Sequence, residues 1–476
     1  MPDDTMSNRT VTNTLTRSLL TLALAGAASG TAWAQLTPPI SPKTRETPLP
    51  PAVTLPAPAE IPEELRERSL TAADAARIAL RQHNTVAAAR ASITQLEGRT
   101  RQARASLKPT LSVGAGYTRS DQFLSGSSRS SGPSGSVSTS TGMQASVSLR
   151  QLLFDRNHSR DLVRQAEAQE DAAERTLART EADLVLQVKQ AFYTYVQNMR
   201  LVQIHETNLR NQQQHLAQAQ ARLQAGVGLP LDVVRAEAAV SEATLNLQVA
   251  RNNASTARVS LALLMGIDPR TPIEVAESEE PAPPAEDLES LVQLAIAQRP
   301  ELGQAEATRA AAIHALDAAR STDAPTVAAT AGVAARGVST PPLNHFLSVG
   351  IQVQWSPFDG GVKDGRVQEA QASIQAAEAQ LEGTRRTIIA DVSQAYLNLR
   401  TAEQRVVTAD AGIANAEEAL RLATGRYNAG LGTFLDVLDA QAALLTARTQ
   451  RVNAEVAVAQ ARAALARAIG TPLDEE

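Results

Sequence analysis

The chain contains no cysteine, which excludes disulfides, thiol catalysis, thiolate-held metal and a lipid anchored on a cysteine. Aromatic residues make up 3%, and the abundant Ala, Gln, Leu and Arg suit long helices better than one compact globule. After the N-terminal region no stretch reaches 18 uninterrupted apolar residues, so no transmembrane helix is expected in the mature chain. Any membrane crossing must be made by strands. A net charge of -5 lacks the positive field that displaces counterions from nucleic acid, so no nucleic-acid partner is expected. The histidines (His83, His158, His205, His215, His314, His345) show no i,i+4 pair and no companion cysteines, which reads as packed or solvated imidazole rather than a metal site. The glycines around Gly114 and Gly360 do not sit between a strand and a helix with phosphate-loop spacing. The Ser-rich stretch from Ser125 to Ser140 has no His/Asp partner pattern. No enzyme activity, cofactor or metal is expected.

The N-terminus has the three parts of a secretory signal: Arg9 and Arg17, the apolar run Leu19 to Ala28, and Ala32-Trp33-Ala34 as a small-x-small cleavage site. Asp3 and Asp4 are unusual ahead of such a signal, and Met6 offers an alternative start. A signal peptide is therefore expected over 1–34, followed by a proline-rich linker over 35–65 that reads as an extended lead-in.

The rest of the chain is an internal repeat, 66–269 and 287–472, joined by a linker at 270–286 and ending in a tail at 473–476. ARIALRQ at Ala76 matches VQLAIAQ at Val292, and Pro109 matches Pro325, both 216 positions on. Beyond that the offset is 204: Phe154-Asp155 falls on Phe358-Asp359, and Gly266 on Gly470. The 12-residue change lies in the Ser/Gly-rich stretch Ser120 to Gly142, read as a surface loop. Each copy opens with a helical segment, about Thr71 to Ala105 and Leu288 to Arg320, closed by its proline. Two alternating runs follow in each copy, Leu111/Val113/Ala115/Tyr117 with Met143/Ala145/Val147/Leu149, then Val327/Ala329/Ala331/Val333 with Leu347/Val349/Ile351/Val353. Period two over about ten residues predicts four strands, each with one apolar face.

A helical pattern then runs from about Arg160 to Ala225, with Val188, Tyr195, Val202, Leu209, Leu216 and Leu223 seven apart. The second copy repeats the seam from Val392 to Tyr427. A strict seven-residue period implies left-handed supercoiling against neighbours. A tight glycine turn then starts a return helix, so that two short helices laid end to end match one long one. Four strands cannot close a membrane barrel alone, because single-chain barrels start at about eight and an unpaired backbone edge in lipid costs several kcal/mol. Three chains supply twelve strands and an open lumen suited to the small and polar inward residues. The fold class expected is thus an α+β membrane protein, a coiled-coil helical barrel continued by a β-barrel shared by three subunits. Phe154, Trp355 and Phe358 gather at one end of the strands as an interfacial girdle would.

In the order of these parts, and in LLFDRN (Leu152 to Asn157), SPFDGG (Ser356 to Gly361), QAFYTY, QAYLNL, RLQAGVGLPLDV and RYNAGLGTFLDVLDA, the chain resembles the TolC-like outer-membrane efflux proteins from about Leu70 to Pro472. The resemblance implies a homotrimeric exit duct in the outer membrane of a Gram-negative bacterium. It also implies a periplasmic adaptor and an inner-membrane pump of a tripartite efflux or type I secretion system. It makes Gly226, Val227, Gly228, Gly430, Leu431 and Gly432 the hairpin tips that meet the adaptor. It further makes Asp436, Asp439, Tyr427 and Asp232 a periplasmic gate. Where that gate carries an arginine two residues after the tip glycine, this chain has Gly432, and Leu231 stands ahead of Asp232, which implies a latch that is either looser or made by other residues such as Arg426 or Arg235. Asp436 and its counterpart Asp232 also read as first-turn carboxylates complementing a helix dipole. Asp439 has Arg235 as its counterpart, so a shared structural need does not account for it. A soluble periplasmic coiled-coil scaffold or adaptor is the alternative, separated from the duct by membrane fractionation.

Overall fold

The computed structural model describes residues 69–124, 136–276, 281, 287–337 and 344–471. The first copy runs α1 (Ala72–Gln82), α2 (Asn84–Ala105), β1 (Thr110–Leu124), β2 (Ser136–Phe154), α3 (His158–Gln224) and α4 (Pro230–Met265). The second runs α5 (Leu288–Gln298), α6 (Pro300–Arg320), β3 (Thr326–Gly337), β4 (Asn344–Gln354), α7 (Val362–Asn428) and α8 (Phe434–Ile469). The expected signal peptide, proline-rich linker and C-terminal tail lie outside the described residues, as does 125–135 within the Ser/Gly-rich stretch.

Two expectations need correction. The opening helix of each copy is broken in two, because His83 (ψ 133°) and Arg299 (ψ 126°) take extended backbone. Arg299 precedes Pro300, whose ring disfavours helical backbone on the residue before it, and His83 turns its Nδ1 onto the Thr85 N–H at 3.2 Å. The break has a use. Gly266, at φ +74°, ends α4 against it, with an added Cβ 3.0 Å from Gln82 backbone; Gly470, at φ +83°, ends α8 against Arg299 in the same way. The short helices thus meet end to end as expected. The second correction concerns the strands: β1 has 15 residues and β2 has 19, so much of the stretch read as a loop is strand.

Asp155 and Asp359 explain the FD motifs. Asp155 accepts from the Ser159 N–H at 2.8 Å, and Asp359 accepts from the N–H groups of Gly361 (3.0 Å) and Lys363 (2.8 Å). Each caps a long helix, whose first N–H groups have no internal acceptor. Between strand and helix the chain turns through left-handed backbone, at Arg156 and Asn157 in one copy and at Gly360 and Gly361 in the other. α3 and α7 each have 67 residues, about 100 Å of helix.

The four strands form one antiparallel sheet in the order β1-β2-β3-β4, so β1 and β4 are its edges. Register places Leu111 against Leu149, Val113 against Val147, Val147 against Val333 and Val333 against Leu347. One face is therefore mainly apolar, interrupted by Arg119, Asp121 and His345, and it is bare: Val113 is 75% and Val349 78% exposed. The other face pairs Ser112 with Ser148 and Gly332 with Ser348. The helices bury two equivalent cores, one around Val188, Phe192, Leu261 and Met265, the other around Leu291, Ile388, Val392 and Leu465. Toward the glycine turns the heptad seam thins, from fully buried Val188 and Val392 to Leu223, which is exposed.

Candidate functional site at the hairpin tips

Both tips close by the same local chemistry. The N–H groups of Val227 and Gly228 return to the Arg222 carbonyl, each at 3.0 Å, and the Leu431 N–H to the Arg426 carbonyl at 2.8 Å. Gly226 and Gly430 supply the left-handed residue at φ +76° and +73°, the conformation that ends helices at glycine. Around these turns Val227, Leu229, Leu231, Leu431 and Leu435 stand exposed, so each tip presents apolar knobs.

The tips of the two copies are held together by a small core of Phe434, Ala219 and Ala236, with Tyr427, Leu216, Val233 and Leu438 against it. The Tyr427 ring lies 5.5 Å from that of Phe434, and the Arg222 guanidinium sits 4.4 Å over Tyr427, a cation–π contact. Arg222 also donates to Asn428 Oδ1 at 3.2 Å, and Gln218 donates to the same oxygen at 3.4 Å. His215 completes the cluster with its ring edge-on to Phe434 at 6.4 Å. Burial lowers the pKa of that imidazole, partly offset by a hydrogen bond with Gln441.

The four carboxylate and phenol positions read from the sequence all lie at this end, in different settings. Asp436 is tied into a capping box: it accepts from the Thr433 N–H at 2.9 Å while its own N–H donates to Thr433 Oγ1 at 3.2 Å. The Thr433 backbone and side-chain hydrogen bonds, with the charge of Arg426, hold its carboxyl below the usual range. Asp232 has no such box, because Leu229 stands where the second tip has Thr433. Asp439 is exposed, and among the described residues no cation or donor engages it.

Of the two arginines suggested for a latch, Arg426 makes no ion pair among the described residues and donates to the Leu431 carbonyl of its own turn, at 3.5 Å. Arg235 makes no ion pair among the described residues. Arg222 bridges the hairpins beside Gln218, and no local pattern singles it out. Its partners Tyr427 and Asn428 lie in the other copy, and nothing in a helical period pairs residues across two hairpins.

A second cluster ties the copies together far from the tips. Arg467 of α8 reaches Asp183 of α3 at 2.6 Å and Glu301 of α6 at 2.5 Å, while Arg299 binds Glu301 and Asp391, each at 2.9 Å. Burial alone would raise the pKa of Glu301, but the hydrogen bonds from Arg299 and Arg467 outweigh it and hold it at about 2.

The arrangement recurs in known proteins. The family model described as outer membrane efflux protein matches residues 75–267 and 291–471. Protein CyaE of Bordetella pertussis is 30% identical over 314 residues, 64% of this chain and 66% of that protein. The outer membrane protein TolC of Escherichia coli is 25% identical over 74% of this chain and 72% of its own. Among solved structures, the Campylobacter jejuni CmeC outer membrane channel superposes with a TM-score of 0.73 at 16% identity, covering 84% of this chain and 85% of that one. The outer membrane protein VceC of Vibrio cholerae gives 0.71 at 20% identity, covering 85% and 97%. A helical barrel continued by a β-barrel is the fold these share. The chain belongs to the outer membrane efflux protein family, and is an efflux channel of the Gram-negative outer membrane that extends into the periplasm.

Proposed function

We propose that three copies of the chain close one twelve-stranded barrel and form the exit duct of a tripartite efflux or type I secretion system. The observation that carries this is the sheet: four strands with two open edges and a bare apolar face cannot lie in lipid unless neighbours pair β1 with β4. The duct does no chemistry of its own, and transport is driven by an inner-membrane pump coupled through a periplasmic adaptor. The repeats 66–269 and 287–472 are its two building units, delivered by the signal peptide at 1–34. The apolar knobs at Gly226–Gly228 and Gly430–Gly432 are the surface offered to the adaptor.

Asp439, with Asp436 and Asp232 around it and Tyr427 fixing the hairpin, forms the gate. Three copies would ring the mouth with carboxylates, which favours cations. The assembly is tested by the mass of the purified protein in mild detergent and by heat-resistant oligomers on a gel; a monomer soluble in water overturns it. For the gate, Asp439→Ala is expected to raise single-channel conductance or weaken cation selectivity in planar bilayers, and unchanged values remove the assignment.

A further inference from the structure

Arg150 and Arg336 give the polar face of the sheet a charge that conducting water does not require. Among the described residues of β1 to β4 they are the two charged side chains on that face, and no carboxylate accompanies them. Both are exposed, and neither has an acidic partner among the described residues. Their cross-strand neighbours are neutral, Thr110 and Thr330 beside Arg150, and Gln144 and Asn344 beside Arg336. Arg119 is different: it lies on the opposite face beyond Tyr117 and is paired with Asp121 at 3.5 Å. The sequence from 110 to 154 and from 326 to 354 contains no glutamate or lysine, and Asp121 is its one aspartate. The positive charge of this segment is thus left uncompensated on the side facing the lumen.

We propose that the strand-built part of the duct is an anion-preferring passage, in which Arg150 and Arg336 form two rings of guanidinium groups that favour carboxylate- or phosphate-bearing solutes. The proposal rests on the trimeric barrel, since one chain supplies one arginine to each ring. Rings of arginine select anions as rings of carboxylates select cations, and the guanidinium fork matches carboxylate and phosphate oxygens. Arg150 lies level with Thr330 and Arg336 six residues further along β3, about 20 Å along the strand. That spacing makes them two successive sites, one near the helices and one near the outer rim. The preference opposes that of the carboxylates at the hairpin tips, so the two ends of the duct discriminate in opposite senses. Screening weakens it at physiological salt, where charges act over about 8 Å, and dilute salt extends it to about 30 Å.

The test is the reversal potential of the purified channel across a dilute KCl gradient in planar bilayers. The wild type is compared with Arg150→Gln/Arg336→Gln and with Arg150→Lys/Arg336→Lys, and each pair is repeated in an Asp439→Asn background to remove the counter-preference of the tips. The glutamine pair is expected to shift the reversal potential toward potassium, raising the cation-to-anion permeability ratio about two- to threefold. The lysine pair stays at the wild-type value. Arg336→Gln alone gives a smaller shift in the same direction and serves if the double variant does not assemble. Glutamine channels of normal conductance with an unmoved reversal potential overturn the proposal and leave the duct intact. Wild-type protein that forms no conducting oligomer overturns the duct and the proposal with it.

Discussion

Two glycines separated by one residue at the first tip carry different constraints. Gly226 is left-handed, but an added Cβ there meets nothing within 4 Å, so alanine costs about 1 kcal/mol of backbone strain. Gly228 is blocked by space: a Cβ would lie 2.7 Å from the Leu223 nitrogen and 2.9 Å from the Arg222 carbonyl carbon. Both obstacles are backbone, so no rotamer relieves them and the turn must open. If the tips dock the adaptor as proposed, Gly228→Ala is expected to weaken that docking far more than Gly226→Ala, both remaining heat-resistant oligomers; crosslinking to the adaptor measures the difference. A gain is also available at this tip. With Leu229 at the N-cap and Asp232 three residues on, α4 has half of the capping box that α8 completes with Thr433 and Asp436. Leu229→Ser should complete it and stabilise the start of α4 by roughly 0.5–1 kcal/mol, seen as slower hydrogen exchange at the first-turn amides. Unchanged exchange would show that the turn geometry, and not the missing hydroxyl, keeps the box open.

Hairpins α3/α4 and α7/α8 are joined by contacts of unequal strength along their length, and acid separates them. At the tip, burial holds the His215 imidazole below its ordinary value of 6.5, so it favours the neutral ring and gives up its stabilisation on protonation. That stabilisation is complete above pH 6.5 and is lost as pH falls below it. The Arg222 cation over the neighbouring Tyr427 ring makes a second positive charge in the cluster still less welcome. At the Arg299/Glu301/Arg467 network the window is lower. Glu301, held at about 2 against an ordinary 4.5, contributes stability that is whole above 4.5 and disappears only as pH falls toward 2. Acidification from pH 7.5 to 5.5 should thus loosen the tip and leave the network standing. Single-channel recordings should show more frequent or larger openings at the lower pH, and His215→Asn, which has no proton to gain, should abolish the dependence. A wild-type channel indifferent to pH in this range would show that the tip core tolerates the charged ring.

How the protomers meet follows from what each leaves uncovered, and here the sequence is informative about pattern and silent about partners. The period of seven around Val188 and Val392, the alternation from Leu111 to Leu149 and the glycine turns were legible, because each is a local rule whose period can be counted. The helix breaks were half legible: Pro300 signals one, whereas His83 breaks its helix with no proline after it. The Arg222–Tyr427 contact and the Arg467–Glu301 pair could not be read, since they join residues more than a hundred positions apart with no shared period. The same limit hides the contact that the proposed trimer needs, for which two exposed apolar helix faces are candidates. On α4, Leu245 and Val259, and likewise Val249 and Leu263, are two heptads apart and largely exposed. On α7, which packs against α5, α6 and α8, Leu397 is 58% and Val407 72% exposed. A heptad seam without a partner calls for a neighbouring helix, and the second copy's α7 offers the matching apolar face. Val249→Arg/Leu263→Arg places two charges on the α4 seam, outside both helical cores, so each chain should fold while the contact fails. Loss of the heat-resistant oligomer with unchanged helical circular dichroism is the expected result. A trimer of undiminished heat resistance would place the subunit contact on another face of the helical barrel.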